Sequence, residues 1–126
     1  MNKLFVDDIR NAPDDTWNIA RTIDSAIVFI ERFMPVEISL DHDISHQIGM
    51  GEMSRPYPCL DTYKPVARFI GVKFRSLEKR DPWYPKITIH SANPVGAEEM
   101  QKILADYGLQ ATIVRQNPAN RLETIV

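Results

Sequence analysis

Little in the sequence would hold a chain together covalently or anchor it in a membrane. Cys59 is the single cysteine among 126 residues, so an internal disulfide is excluded and a reducing compartment is expected. No apolar run approaches the roughly 20 residues of a membrane helix. Lys3 and Asp7 interrupt the start of the chain, where a signal peptide would need an unbroken apolar stretch. Charge of one sign is also lacking: the formal net charge is −2, which gives no global attraction to nucleic acid or to anionic lipid. There is no internal repeat and no low-complexity segment. What remains is an ordinary globular composition, 44% hydrophobic and 25% charged. One domain spanning 1–126, soluble and cytoplasmic, is the expectation.

The informative residues sit where apolar runs stop. Leu4-Phe5-Val6 ends in Asp7-Asp8, Ile38-Ser39-Leu40 ends in Asp41-His42-Asp43, and Ile87-Thr88-Ile89 ends in His90-Ser91-Ala92-Asn93. Short aliphatic runs of this kind suit strands buried on both faces of a parallel sheet. Such sheets bind ligands outside the carboxyl ends of their strands.

Taken in order, Lys3–Val6 reads as a first strand and 11–15 as a turn cluster. Trp17–Arg21 reads as an edge strand, followed by a helix capped near Asp24-Ser25 and stopped by Pro35. Val36–Leu40 is the next strand. Residues 44–60, with two Gly, two Pro and two Met, form a long loop and candidate lid. A helix follows from a cap at Asp61 or Thr62 through Leu77, weakened by Gly71, with Lys79-Arg80 near its end. Lys86–Ile89 is a strand, Asn93-Pro94 opens a helix that Gly108 closes, Gln110–Val114 is the last strand, and Gln116–Val126 is a polar tail. Alternating strands and helices predict an α/β fold. Only about nine residues join the first two strands, fewer than the dozen that parallel crossovers ordinarily use, so the first crossover helix is expected to be lost or shortened.

Asp7, Asp8, Asp41 and Asp43 converge if the first and third strands are neighbours. Clustered carboxylates raise one another's pKa unless a cation intervenes, and all-oxygen ligation favours Mg²⁺, Mn²⁺ or Ca²⁺ over zinc. The plainer role for any one of these acids is to cap a turn. His42 and His90 are either hydrogen-bonding groups or proton carriers. Ser91 and Asn93 either contact a phosphoryl oxygen or form an Asn-Pro turn with a helix cap. Arg10, Arg21 and Arg115 either bind phosphate or are surface arginines. Trp17 and Trp83 read as packing residues, and Cys59 carries no assigned chemistry.

An acidic pair after the first strand, an Asp after the third, a small hydroxyl residue and then a basic one resemble the receiver domains of two-component signalling. The closer resemblance is to the cyclic-phosphate-processing receiver domains. It is carried by Leu4-Phe5-Val6-Asp7-Asp8-Ile9-Arg10, Ala20-Arg21-Thr22, Ile38-Ser39-Leu40-Asp41-His42-Asp43 and His90-Ser91-Ala92-Asn93-Pro94. It implies a receiver-like, flavodoxin-like fold with a five-stranded, mostly parallel sheet of order 2-1-3-4-5. It further implies a divalent cation, Mg²⁺ or Mn²⁺, on Asp7, Asp8 and Asp41. Arg115 stands where receivers carry a Lys followed by Pro, and neither residue is present.

The expected activity is a metal-dependent phosphoesterase acting on a cyclic phosphate, such as a 2′,3′-cyclic nucleotide or an RNA end. Asp41, His42 and His90 would be its catalytic residues, and Arg10, Arg21, Asp43, Ser91, Asn93 and Arg115 would bind the phosphate or substrate. Two alternatives stand beside it: a receiver phosphorylated on Asp41 as a signalling switch, and a non-catalytic interaction module. No membrane partner and no strong non-specific nucleic-acid binding are expected.

Overall fold

In a computed structural model of the chain, residues 2–44, 62–77 and 81–125 are described. The expectations for the candidate lid with Met50, Met53 and Cys59, for a cap at Asp61, and for Lys79-Arg80 lie outside them. The elements run β1 (Lys3–Val6), β2 (Trp17–Ala20), α1 (Ile23–Phe33), β3 (Glu37–Leu40), α2 (Lys64–Leu77), β4 (Lys86–Ile89), α3 (Pro94–Asp106), β5 (Ala111–Gln116) and β6 (Leu122–Thr124). They form one sheet of order β2-β1-β3-β4-β5-β6. The first five strands are parallel in the expected 2-1-3-4-5 order. No helix connects β1 to β2, as the short spacing required.

Strand ends shift by a residue or two, with the last strand at Ala111–Gln116 in place of Gln110–Val114, and two further differences from expectation stand out. α1 begins at a capping box in which the Thr22 side chain accepts from the Ser25 N–H, while Ser25 Oγ accepts from the Thr22 N–H. A local pair of hydroxyls thus outcompetes Asp24 as the cap. The expected polar tail instead turns back as β6, antiparallel to β5. Asn117 Oδ1 accepts from the backbone of Ala119 and Arg121, and Asn120 takes the left-handed conformation at φ 66°, a backbone that Asn tolerates well.

The sheet has two unlike faces. Leu4, Val6, Ile38, Leu40, Ile87 and Ile89 belong to one buried cluster with Ile30, Val66, Ile70, Met100 and Leu104 of the three helices. Strand pairing sets Leu4 beside Ile38 and Ile38 beside Ile87, so these residues share a face. The opposite face carries the in-register row Phe5, Ser39, Thr88 and Thr112. Among the described residues, helices therefore cover one face, not both as the apolar runs had suggested. The serine and threonine inside those runs are the trace of the second face.

Two glycines permit close packing. A Cβ on Gly71 would stand 2.2 Å from the Tyr107 ring, and one on Gly96 would stand 2.4 Å from the His42 ring. Gly71, unfavourable for its helix, is what lets α2 approach Tyr107 at the end of α3. Among the described residues, no helix is long and apolar enough to cross a membrane.

Candidate metal and phosphate site

Parallel pairing brings the ends of β1, β3 and β4 side by side, and the polar residues after them meet there. Asp7, Asp8 and Asp41 each offer a carboxylate oxygen, and these atoms lie within 4.8 Å of one another. Asp7 is fully buried and Asp41 nearly so. Asp7 Oδ1 accepts from the backbone N–H of Ile9 at 3.0 Å and of Arg10 at 2.9 Å, which bends the chain after β1. Its Oδ2 lies 2.9 Å from His90 Nε2. Asp41 Oδ1 accepts from the His42 N–H at 2.8 Å. The Arg10 guanidinium stands beside both acids, 3.7 Å from Asp7 and 3.9 Å from Asp41, and donates to the His90 carbonyl at 3.1 Å.

Electrostatics separate the two buried carboxyls. Burial pulls Asp7 upward, but the hydrogen bond from His90 and those from Arg10 and Ile9 outweigh it and hold the group at about 2. Asp41 is pushed up to about 7, first by burial and second by the Asp7 charge beside it. A cation held between the two carboxylates would favour the charged form of Asp41 and oppose both effects. Three oxygen donors within reach of one point suit a hard divalent ion. The residues therefore fit Mg²⁺ or Mn²⁺ as the sequence expectation has it.

Behind the acids lies a chain of buried hydrogen bonds. Thr88 Oγ1 donates to Ser39 Oγ at 2.8 Å, Ser39 Oγ lies 2.7 Å from His90 Nδ1, and His90 Nε2 lies 2.9 Å from Asp7 Oδ2. The assignment that supplies a proton to every contact has Ser39 donating to Nδ1 and Nε2–H donating to the carboxylate. Burial lowers the pKa of His90 despite the pull of Asp7, consistent with a neutral ring. That ring also stacks on Phe5, with centroids 4.3 Å apart.

The two imidazoles are thus unequal. Both nitrogens of His90 are engaged, and its contact is with Asp7. His42 has Nδ1 at 2.6 Å from Asp43 Oδ1, while Nε2 is buried, without a hydrogen-bond partner among the described residues, and 4.0 Å from Glu99 Oε1. Glu99 is itself bound to Lys64 at 2.8 Å. The His42 ring therefore faces α3 across Gly96, and its link to Asp41 runs through the backbone N–H.

The remaining expected residues fall in distinct places. Arg21 donates to the carbonyls of Asp7 at 3.2 Å and Arg10 at 2.7 Å, clamping the turn after β1. Tyr63 in turn donates to the Arg21 carbonyl at 2.8 Å. Asn93 caps α3 through Gly96 N and reaches Asp43 at 3.4 Å, and Ser91 Oγ accepts from the Asn93 N–H. Arg115 is 73% exposed and pairs with Glu123 at 3.5 Å, outside the carboxylate cup. Ser39, Thr88, Tyr63, Glu99 and Lys64 were not among the site residues expected from the sequence. Ser39 and Thr88 had left a signal there, as hydroxyls at the centre of apolar runs.

A sheet of this order with an acidic cup at its carboxyl end defines a receiver-like domain. The profile of the cyclic-phosphate processing receiver domain matches residues 2–106, and the chain belongs to that family. Among curated proteins, no sequence matches it.

Proposed function

We propose that this domain is a divalent-metal-dependent phosphoesterase that opens a cyclic phosphate, as on a 2′,3′-cyclic nucleotide or RNA end. The observation that carries the reading is the cup of Asp7, Asp8 and Asp41 with the Arg10 guanidinium between Asp7 and Asp41. Bound there, Mg²⁺ or Mn²⁺ would offset the negative charge that develops on the phosphoryl oxygens. Arg10 offers a planar cation to a non-bridging oxygen. His90 acts through Asp7, fixing the carboxylate from behind, and Arg21 fixes the turn that carries Asp7 and Arg10. His42, whose Nδ1 lies on Asp43 and whose Nε2 is buried beside Glu99, holds Asp41 through its backbone N–H in this reading and orients Asp43 at the rim of the cup. The near-neutral total charge favours a short substrate over long RNA.

The position of Asp41 at the end of β3 also supports a second reading, an aspartyl-phosphate formed on that residue. One assay separates the two. Wild type and Asp41→Asn are incubated with cyclic mononucleotides and cyclic-ended RNA, with Mg²⁺, Mn²⁺ or chelator, and in parallel with a small phosphodonor. Metal-dependent ring opening that Asp41→Asn loses supports the esterase. Hydroxylamine-labile labelling of wild type, absent from Asp41→Asn, without any ring opening supports the phosphorylated receiver and overturns the esterase.

A further inference from the structure

A cavity of about 1480 Å³ opens directly beside the carboxylate cup and shares Arg10, His90 and Ser91 with it. Resting on the phosphoesterase reading above, we infer that this groove is the subsite for a nucleoside, the organic part of the cyclic phosphate. Ligand pockets commonly measure roughly 300–1,000 Å³, so a phosphoryl group alone would leave most of this one empty. Its walls pair apolar surface with amides. Ile9 and Ile125, two large side chains that are 56% and 54% exposed, stand among its lining residues with Ile113. Exposed aliphatic surface on a groove suits a flat, weakly polar ring, which a nucleobase has and a bare sugar lacks.

The groove is held open before any ligand arrives. Gln116 Nε2 donates to the Asn11 carbonyl at 2.6 Å and to the Asn120 carbonyl at 3.2 Å, tying the β1–β2 connection to the hairpin of β5 and β6. Among the described residues its charged lining is sparse: Arg10 and Arg115 against Glu98, with Arg115 already paired to Glu123. A track of successive phosphates would need more cations than this, which points to one nucleoside rather than a polynucleotide. Much of the wall, from Leu109 to Ile125, lies beyond the residues matched by the family profile. The subsite is therefore built largely from this chain's own C-terminal part.

The test has two arms. In the first, the ¹⁵N-labelled protein with Mg²⁺ is titrated with adenosine 3′-monophosphate and with the base-free methyl riboside 3-phosphate. At least tenfold tighter binding of the nucleotide, with amide shifts at Ile113 and Ile125, is expected. Ile125→Asp, at an exposed position, and Ala105→Trp, on the exposed side of α3, should each bring the nucleotide down towards the base-free probe without weakening that probe. Equal affinity for the two probes, or a preference that both variants leave intact, overturns the subsite. In the second arm, ring opening is measured on adenosine 2′,3′-cyclic phosphate and on its base-free counterpart. Ring opening of both at equal efficiency overturns the subsite and leaves the esterase standing. Base-dependent binding without ring opening supports the subsite and overturns the esterase.

Discussion

The two faces of this sheet are made from alternate residues of the same strands, yet they do different work. Towards the helices, Leu4, Val6, Ile38, Leu40, Ile87 and Ile89 pack into one apolar cluster. Towards the other side, Phe5, Ser39 and Thr88 lie in register and lead to His90 and Asp7. The apolar face supplies stability through area removed from water, and such burial tolerates changes of shape that keep volume. The polar face supplies direction: each hydroxyl has one proton, and its orientation fixes the imidazole and thereby the carboxylate. A four-residue strand thus holds the domain together with one set of side chains and positions its site with the other.

This contrast can be broken from either side. Leu40→Ala on the helix face should have the largest effect, about 2–5 kcal/mol of unfolding free energy, read by urea denaturation, while Mg²⁺ affinity of the folded fraction stays within a few-fold.

Next in size is the pH dependence of the metal-free protein. Asp41 holds its proton in the fold up to about 7, against 3.8 for the ordinary group. The native state then binds more protons than the unfolded chain across that window, and this group destabilises the fold as pH rises through it. Asp7, held at about 2, acts oppositely: its contribution is present above its ordinary pKa and is lost as pH falls through about 2. Asp41→Asn should raise metal-free stability at pH 8 by a few kcal/mol and flatten the slope between pH 4 and 7. It should also weaken Mg²⁺ binding at least tenfold by titration calorimetry. A variant that is no more stable than wild type at pH 8 would contradict the buried charge pair.

Ser39→Ala should cost about 1–3 kcal/mol, because it strands the Thr88 hydroxyl and His90 Nδ1 in a buried place. Its distinguishing readout is the ¹⁵N shift of the His90 ring, which should move away from the Nε2–H tautomer. An unchanged ring spectrum would remove Ser39 from the network. The smallest effect belongs to a residue outside both faces: Thr22→Ala should cost about 1 kcal/mol through loss of the α1 cap, with no change in metal affinity.

How much of this was legible beforehand depended on the range of the interaction. The period and length of the apolar runs, Pro35, the Asn93-Pro94 cap and the missing residues between β1 and β2 are local features, and they yielded the strands, the helices and the lost crossover. The hairpin of β6 was not legible, because Leu122–Thr124 is too short and polar to read as a strand without β5 to pair with. The unequal roles of His42 and His90 were hidden for a related reason. Each follows an apolar run by one or two positions, and only the neighbours from other strands and from α3 distinguish them.

By itself, then, the sequence determined which residues end the strands and that those ends carry acids, imidazoles and amides, since both follow from composition and spacing along one segment. Only the tertiary structure decided that α1, α2 and α3 all pack on the same face, that Asp7 stays charged while Asp41 is driven towards neutrality, and that Gly96 admits the His42 ring beside α3. The physical reason is that burial, proton affinity and hydrogen-bond direction depend on atoms brought close by folding, and most of those atoms lie tens of residues away along the chain.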